Sequence, residues 1–265
     1  MEVVRRESLI ELRAGDARAV VDPARGGRLA GLEVAGLSLL LPESDDPMRW
    51  GCYPMAPWAG RVRRGRFRFD GRQYSLPCNL PPHAVHGTTF TRAWSDEGDG
   101  RISIALGPDW PWPGRAVQEF ALSDSALEMT LEVHAGDSPF PASAGWHPWF
   151  PRRLARGDEA VVKLDAGAMY RHDDDGIPTG ELVAPPPGPW DNCFTQLAKA
   201  PGVRWPGAIE IVLRTSLEHV VVYDEPEHAL CVEPLTGPPD ALNLAPRIVA
   251  PGDPLRASVR LEWNL

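Results

Sequence analysis

Lysine is almost absent: only positions 163 and 199 carry it, and arginine supplies nearly all the positive charge. The formal net charge is -9, a field that repels phosphates and so argues against nucleic acid or an anionic membrane surface as the main partner. Cysteine is sparse as well. Cys52, Cys78, Cys193 and Cys231 stand alone with no C-x-x-C pair, which suggests neither a zinc knuckle nor a disulfide framework and fits a reducing cytoplasm. No apolar run approaches the roughly 20 residues that span a bilayer. The opening "MEVVRRESLIELRAG" alternates apolar and polar residues too early for a secretory segment and reads as a first strand, so no export signal is expected. Nor is there a convincing amphipathic helix of ten residues or more, a G-x-S-x-G, a P-loop or a dinucleotide fingerprint. Hydrolase-triad, phosphoryl-transfer and NAD chemistry therefore lack positive support.

What the chain does have is period two. "ALEMTLEVHA" sets Leu127, Met129, Leu131 and Val133 on one side against Glu128, Thr130, Glu132 and His134, a half-buried strand. "LRASVRLEWNL" repeats the pattern from Leu255 to Leu265. Hairpin turns are expected at Asp70-Gly71 and around Ser123 to Ser125, with further strands at "RAVVD", "RISIAL", "AVVKLD", "AIEIVLR" and "HVVVYDE". The 29 prolines and 25 glycines fall mainly between these runs and form no linker. The fold class that follows is all-β, one domain over residues 1–265, with many antiparallel strands and long loops at one rim.

Five short stretches place proton-active residues among aromatics or at strand ends: "PWAGRVRRGRF", "HAVHG", "GWHPWF", "PWDNCF" and "CVEPLTGPPDALN". In an all-β fold, strand ends that are distant in sequence build one cleft. His147 precedes Pro148 and is therefore held extended, sharing a face with Trp149 while Trp146, Pro148 and Phe150 take the other. It is either a structural histidine under two large aromatics or a proton donor beside a sugar-sized apolar plate. Glu233 repeats the device before Pro234. Taken alone it reads as an exposed strand-end glutamate; taken with His147 it supplies the second half of a general acid/base pair.

"HAVHG" has H-x-x-H spacing, but the preceding prolines argue against the helix that would put both rings on one face, so no metal is expected. His86 or His83 is then either a donor to a ligand oxygen or a loop histidine bonded to backbone. Strand alternation through the arginine run would put Arg61 and Arg63 on one face and Arg64, Arg66 and Arg68 on the other, with Arg61 the best placed to meet a ligand. Asp191 reads on its own as an Asx-turn residue.

In this order, the stretches resemble the aldose 1-epimerase (galactose mutarotase-like) family. "PMAPWAGRVRRGRFRFDGRQYSL" looks like its early arginine motif, "HAVHGTTFTRAW" its histidine-glycine motif, "GWHPWF" its His-Pro-aromatic motif and "CVEPLTGPPDALN" its late glutamate motif. The resemblance implies a large antiparallel β-supersandwich, a site with no metal and no cofactor, and interconversion of the α and β anomers of a free hexose. It implies that His147 protonates the ring oxygen, that Glu233 takes the proton of the anomeric hydroxyl, and that Arg61, His86, Asp191 and Trp149 bind the sugar. The expected partner is a small-molecule monosaccharide, with no nucleic acid and no membrane, and the chain is expected to be a monomer or homodimer. Three departures stand out: Gly60 replaces the usual Asn before the arginine, Trp149 and Pro151 stand where the family often has Tyr and Asn, and His83 lacks an adjacent histidine. Three alternatives remain open at this stage. They are an enzyme for an anionic sugar using arginines of the 61 to 68 run, Arg63 among them, or Arg92, a non-catalytic sugar-binding or sensing protein, and a glycoside hydrolase pairing Glu233 with Asp191.

Overall fold

The computed structural model describes residues 1–6 and 9–265, with side chains for residues 1–3 and 9–265. Alternating sequences lie where one face meets a core and the other meets water. Ala126–Ala135 buries Leu127, Met129, Leu131 and Val133, and Leu255–Asn264 pairs with it residue for residue. Around these two strands an eight-stranded antiparallel sheet runs Ser95–Gly98, Arg101–Ala105, Gly114–Leu122, Ala126–Ala135, Leu255–Asn264, Ile209–Arg214, Gly202–Trp205, Val161–Lys163.

A larger, twelve-stranded sheet lies against it. Its path is Glu2–Arg6, Leu9–Ala14, Ala17–Asp22, Arg28–Val34, Cys52–Met55, Gly145–Pro151, Ala229–Leu235, His219–Tyr223, Asp191–Leu197, Ala166–His172, Pro178–Val183, with Leu37–Ser38 beside Arg28–Val34. The opening stretch, expected as one strand, is thus two antiparallel strands, Glu2–Arg6 and Leu9–Ala14. Residues 7 and 8 lie outside the described residues. The hairpin at Asp70-Gly71 forms as expected, both residues having positive φ as a tight two-residue turn requires. Helix is confined to one four-residue turn, Ala241–Leu244, and two short 3-10 segments among the described residues.

Between the sheets lies one continuous apolar layer that includes Ile10, Leu12, Val21, Leu29, Phe120, Leu131, Trp146 and Phe150. Trp146 reaches fully into this layer, and its one polar atom is satisfied there. The indole Nε1 donates to Gln118 Oε1 of the facing sheet at 3.1 Å, and Gln118 Nε2 donates to the Gly27 carbonyl at 2.7 Å. A second apolar cluster, including Tyr53, Met55, Phe90, Trp149, Cys193 and Cys231, covers the opposite face of the larger sheet. The central strands Gly145–Pro151 and Ala229–Leu235 are therefore buried on both faces.

The Trp146–Gln118–Gly27 bridge gives a direct test of how the two sheets are joined. Replacing Gln118 by Leu keeps volume but leaves a buried indole N–H and a carbonyl unpaired. The expected loss is about 1–3 kcal/mol in urea unfolding, with the denaturant slope unchanged.

Candidate active site

The ladder through the middle of the larger sheet lines up residues that are far apart in sequence. Gly145 lies opposite Leu235 and Trp149 opposite Cys231, which sets His147 opposite Glu233. His147 lies opposite Tyr53 on its other side, Glu233 opposite Val221, and Val221 opposite Cys193. Tyr53, His147, Glu233, Val221 and Cys193 thus form one row across five strands. Two residues further along, Trp149, Cys231, Tyr223 and Asp191 form a second. Strand alternation keeps both rows on the face away from the sandwich interior.

Loops carry the remaining walls. Arg61–Val62 pairs with Ala84–Val85, and the His86 N–H donates to the Gly60 carbonyl at 3.0 Å, so arginine and histidine motifs enter the site as one unit. His86 holds φ at 62°, uncommon for a residue with a side chain. Gly87, which follows it at φ 81°, approaches so closely that an added Cβ would lie 2.0 Å from the Ala56 carbonyl oxygen. The late motif braces the same unit. The Asp240 N–H donates to the Arg61 carbonyl at 2.6 Å, and Asp240 Oδ1 accepts from the Arg63 N–H at 3.0 Å and from Asn243 at 2.8 Å.

These elements enclose a cavity of about 160 Å³ whose lining includes Arg61, His86, His147, His172, Asp191 and Glu233. That is well below the roughly 300–1,000 Å³ of pockets for drug-sized ligands. It suits one small polar ring. A wider indentation of about 700 Å³, formed by residues 195–201 and 214–218, contains neither Glu233 nor any of the three pocket histidines. The chemistry points to the smaller cavity.

His147 Nε2 stands 3.3 Å from Glu233 Oε1, and both side chains are almost fully buried. Burial drives the imidazole pKa down to about 3, with the Arg61 charge adding to the effect. Burial also holds the Glu233 carboxyl well above the usual glutamate range, Asp191 pushing the same way and Arg61 opposing. In the free pocket this dry environment favours a neutral imidazole beside a protonated carboxyl. That form holds the same protons as an imidazolium beside a carboxylate, so one internal transfer converts one form to the other. The His147 ring stacks on Tyr53 at 4.9 Å and Trp149 at 5.2 Å, which fixes its plane. Arg61 reaches Asp191 at 3.5 Å, both partly exposed at the cavity wall.

Of the six residues singled out from sequence, five line this cavity: His147, Glu233, Arg61, His86 and Asp191. Trp149 does not. It is buried with its ring stacked on His147 and edge-on to Tyr223 at 6.0 Å. His83 also lies elsewhere, its Nδ1 accepting the Arg64 N–H at 3.1 Å. Arg63 is held by Asp173 at 2.6 Å, and Arg92 donates to the Ala105 and Leu106 carbonyls at 2.9 and 3.1 Å. The expected alternation along the arginine run fails because Arg63–Gly65 is a 3-10 turn with Arg64 at φ 50°. Asp191 opens a strand and makes no Asx turn.

Sequence reasoning missed His172, Asn192 and Tyr223, which also line the cavity. Asn192 Nδ2 and His172 Nδ1 lie 3.3 Å apart. Nδ1 of His86, Nδ1 of His147 and Nε2 of His172 are buried without partners, unmet hydrogen-bonding capacity concentrated at one place.

Comparison with known proteins fits this geometry. The sequence pattern described as aldose 1-epimerase matches residues 8–203. The chain belongs to the aldose 1-epimerase family. It is 26% identical over 277 residues to the uncharacterized protein YihR of Escherichia coli K12, covering 88% of this chain and 85% of the relative. It is 27% identical over 143 residues to the galactose mutarotase of Rattus norvegicus, covering 49% of this chain and 41% of that one. Among solved structures, a galactose mutarotase-like protein of Clostridium acetobutylicum superposes with a TM-score of 0.86 at 18% identity, covering 99% and 98% of the two chains. That likeness establishes the galactose mutarotase-like fold, a β-supersandwich, and the family places the chain among isomerases.

The buried pair also shapes stability against pH. Glu233 keeps its proton in the fold after the unfolded chain, with its glutamate near 4.5, has released it, so stability falls as pH rises through that window. His147 stays neutral in the fold between about 3 and 6.5, where the unfolded chain takes up a proton, so stability falls as pH drops through that range. In calorimetry, the melting temperature of Glu233→Gln relative to the parent should climb as pH rises above the ordinary glutamate range. That of His147→Asn should climb as pH falls below the ordinary histidine value.

Proposed function

We propose that the chain is an aldose mutarotase that interconverts the α and β anomers of a free, uncharged hexose. The observation that carries this reading is the 3.3 Å cross-strand contact of His147 and Glu233 at one end of a cavity sized for a single ring. The two oxygens that exchange protons during ring opening, the ring oxygen and the anomeric hydroxyl, are bonded to the same carbon. An acid and a base that serve them must be neighbours, as these are.

Starting from the imidazolium–carboxylate form, Glu233 takes the proton of the anomeric hydroxyl while the oxygen's electrons form the aldehyde. The C1–ring oxygen bond breaks, and the ring oxygen takes the proton of His147. Rotation about C1–C2 turns the other carbonyl face to the hydroxyl, and the same two transfers in reverse close the opposite anomer. The protonation reached after ring opening is the resting one, neutral imidazole and carboxylic acid. Closed sugar therefore requires one proton to pass from Glu233 to His147 on binding; the Arg61 charge favours the carboxylate but opposes the imidazolium, so the sugar hydroxyls that meet the pair have to supply the rest. Arg61, His86 and Asp191 hold sugar hydroxyls, and each proton transfer contributes about 10²–10⁴ in rate.

The alternatives fit less well. Hydrolysis of a glycoside needs two carboxyl groups some 5–9.5 Å apart with the scissile bond between them, whereas Glu233 has an imidazole as its immediate partner. Mere binding has no use for a buried acid beside a buried base, which costs stability. An anionic sugar calls for positive charge in excess, yet the one arginine among the described residues lining the cavity is shared with Asp191.

Polarimetry on freshly dissolved single anomers tests the reading. Glucose or galactose should reach anomeric equilibrium faster with enzyme, and Glu233→Gln and His147→Asn should each lose about 10²–10⁴-fold in kcat. The rate should decline on the alkaline side as the pair loses its shared proton. Binding without faster exchange would reduce the site to a sugar sensor, and acceleration confined to hexose phosphates or sulfonates would overturn the uncharged substrate.

A further inference from the structure

Below the acid–base pair the second row of the sheet presents a thiol. Cys231 lies two residues before Glu233 on the same strand and the same face, opposite Trp149 and Tyr223, and is fully buried. A ring nitrogen of His147, the Cys231 sulfur and a Glu233 oxygen all lie within 4.8 Å of one another. Ligand atoms around a tetrahedral zinc ion lie roughly 3.3–3.8 Å apart, given bonds of about 2.0–2.3 Å. The His147–Glu233 separation of 3.3 Å is already in that range. The Cys231 sulfur, fully buried just behind the cavity wall that His147 and Glu233 form, lies within 4.8 Å of both and has to close in on binding.

The geometry assigns His147, Cys231 and Glu233 as an inhibitory site for a thiophilic divalent cation such as Zn²⁺, entered through the sugar cavity and exclusive of sugar. The donor set is one imidazole, one thiolate and one carboxylate, the mixture that zinc accepts and that magnesium and calcium do not. Charge balance suits a buried position. Binding displaces the thiol proton of Cys231 and the carboxyl proton of Glu233 to solvent, so a doubly positive ion, two single negative ligands and a neutral imidazole sum to zero. Arg61 is the opposing charge nearby and Asp191 offsets it. Exclusion follows because the ion occupies the atoms of both groups that the sugar must meet.

Cobalt serves as the optical probe, since Co²⁺ takes zinc's geometry and reports thiolate ligation. Added to the metal-free protein, Co²⁺ should produce a near-ultraviolet sulfur-to-metal charge-transfer band and intense visible bands of low coordination number. Glucose in excess should diminish both. Zn²⁺ held at fixed free concentration should raise the KM for sugar with kcat unchanged. Cys231→Ser should retain the parent's anomer exchange, lose the charge-transfer band and weaken zinc inhibition by about tenfold or more. If that variant is unstable, Cys231→Ala and the glucose competition on the parent protein give the same reading. A charge-transfer band that survives in Cys231→Ser, equal zinc inhibition in parent and variant, or no cobalt band at all would overturn the assignment. The cobalt spectrum needs no activity, so failure here stays separate from failure of the mutarotase reading.

Discussion

The pairing of His147 with Glu233 is the constraint on which the site is built. Each sits on a strand in the middle of a twelve-stranded sheet, covered on both faces. Each is followed by a proline, Pro148 and Pro234, although a central strand is a poor place for a residue without an N–H. The ladder between these two strands pairs Gly145 with Leu235 and resumes at Trp149 with Cys231, leaving the row of the acid and base unladdered. The prolines therefore do two things at once. They hold the preceding residues extended, and they open the backbone ladder where the side chains must meet.

Rigidity around the pair comes from aromatic packing anchored by a buried cation. Arg28 is almost fully buried, its guanidinium 4.0 Å from the Trp50 ring centroid and 5.3 Å from that of Tyr53. It donates one hydrogen bond from each guanidinium nitrogen, to the carbonyls of Arg25, Trp50 and Phe90, and no carboxylate pairs with it among the described residues. Burial lowers its pKa to about 10, so it remains charged at neutral pH. Tyr53, held against this cation, stacks on His147 and donates its hydroxyl to the Met48 carbonyl at 3.2 Å. The imidazole that has to exchange a proton is thus fixed in plane by Tyr53 and Trp149, without a carboxylate behind it to raise its basicity. Its low proton affinity and the high proton affinity of Glu233 are two consequences of the same dry environment.

How much of this was legible in the sequence depends on what each strand touches. Strands with one wet face, such as Ala126–Ala135 and Leu255–Asn264, announce themselves by alternation. Strands buried on both faces do not: Cys52–Met55 gives no alternation, and Gly145–Pro151 is recognisable through its motif alone. Five cavity residues were found because each belongs to a short motif. His172, at the end of Ala166–His172 and just before a run of aspartates, belongs to none, and neither does Tyr223. Trp149 lies off the cavity wall for a geometric reason. Alternation sets the face a side chain shares, and Trp149 does share the face of His147, but the depth at which it lies depends on the layer of loops above it.

That loop layer also holds Gly60, where the family resemblance implies asparagine, and the structure gives the glycine a cause. Gly60 holds φ at 69°, and a Cβ on it would lie 2.8 Å from Pro239 Cβ and 3.0 Å from its Cγ. An asparagine there tolerates the backbone angle better than most residues, but its side chain has no room beside Pro239. Gly60 and Pro239 are thus a matched pair, one from the arginine motif and one from the glutamate motif, and both line the cavity. The Asp240 bridge to Arg61 and Arg63 locks them together. The sheet rows that carry His147 and Glu233 are set by strand register and cannot shift without breaking the ladder. The covering loops rest on these rows through a few side chains, His86 edge-on to Tyr53 and His147, and Arg61 on Asp191. The acid–base pair is therefore fixed by the sheet, while Gly60, Pro239 and His86, carried by the covering loops, shape the cavity wall.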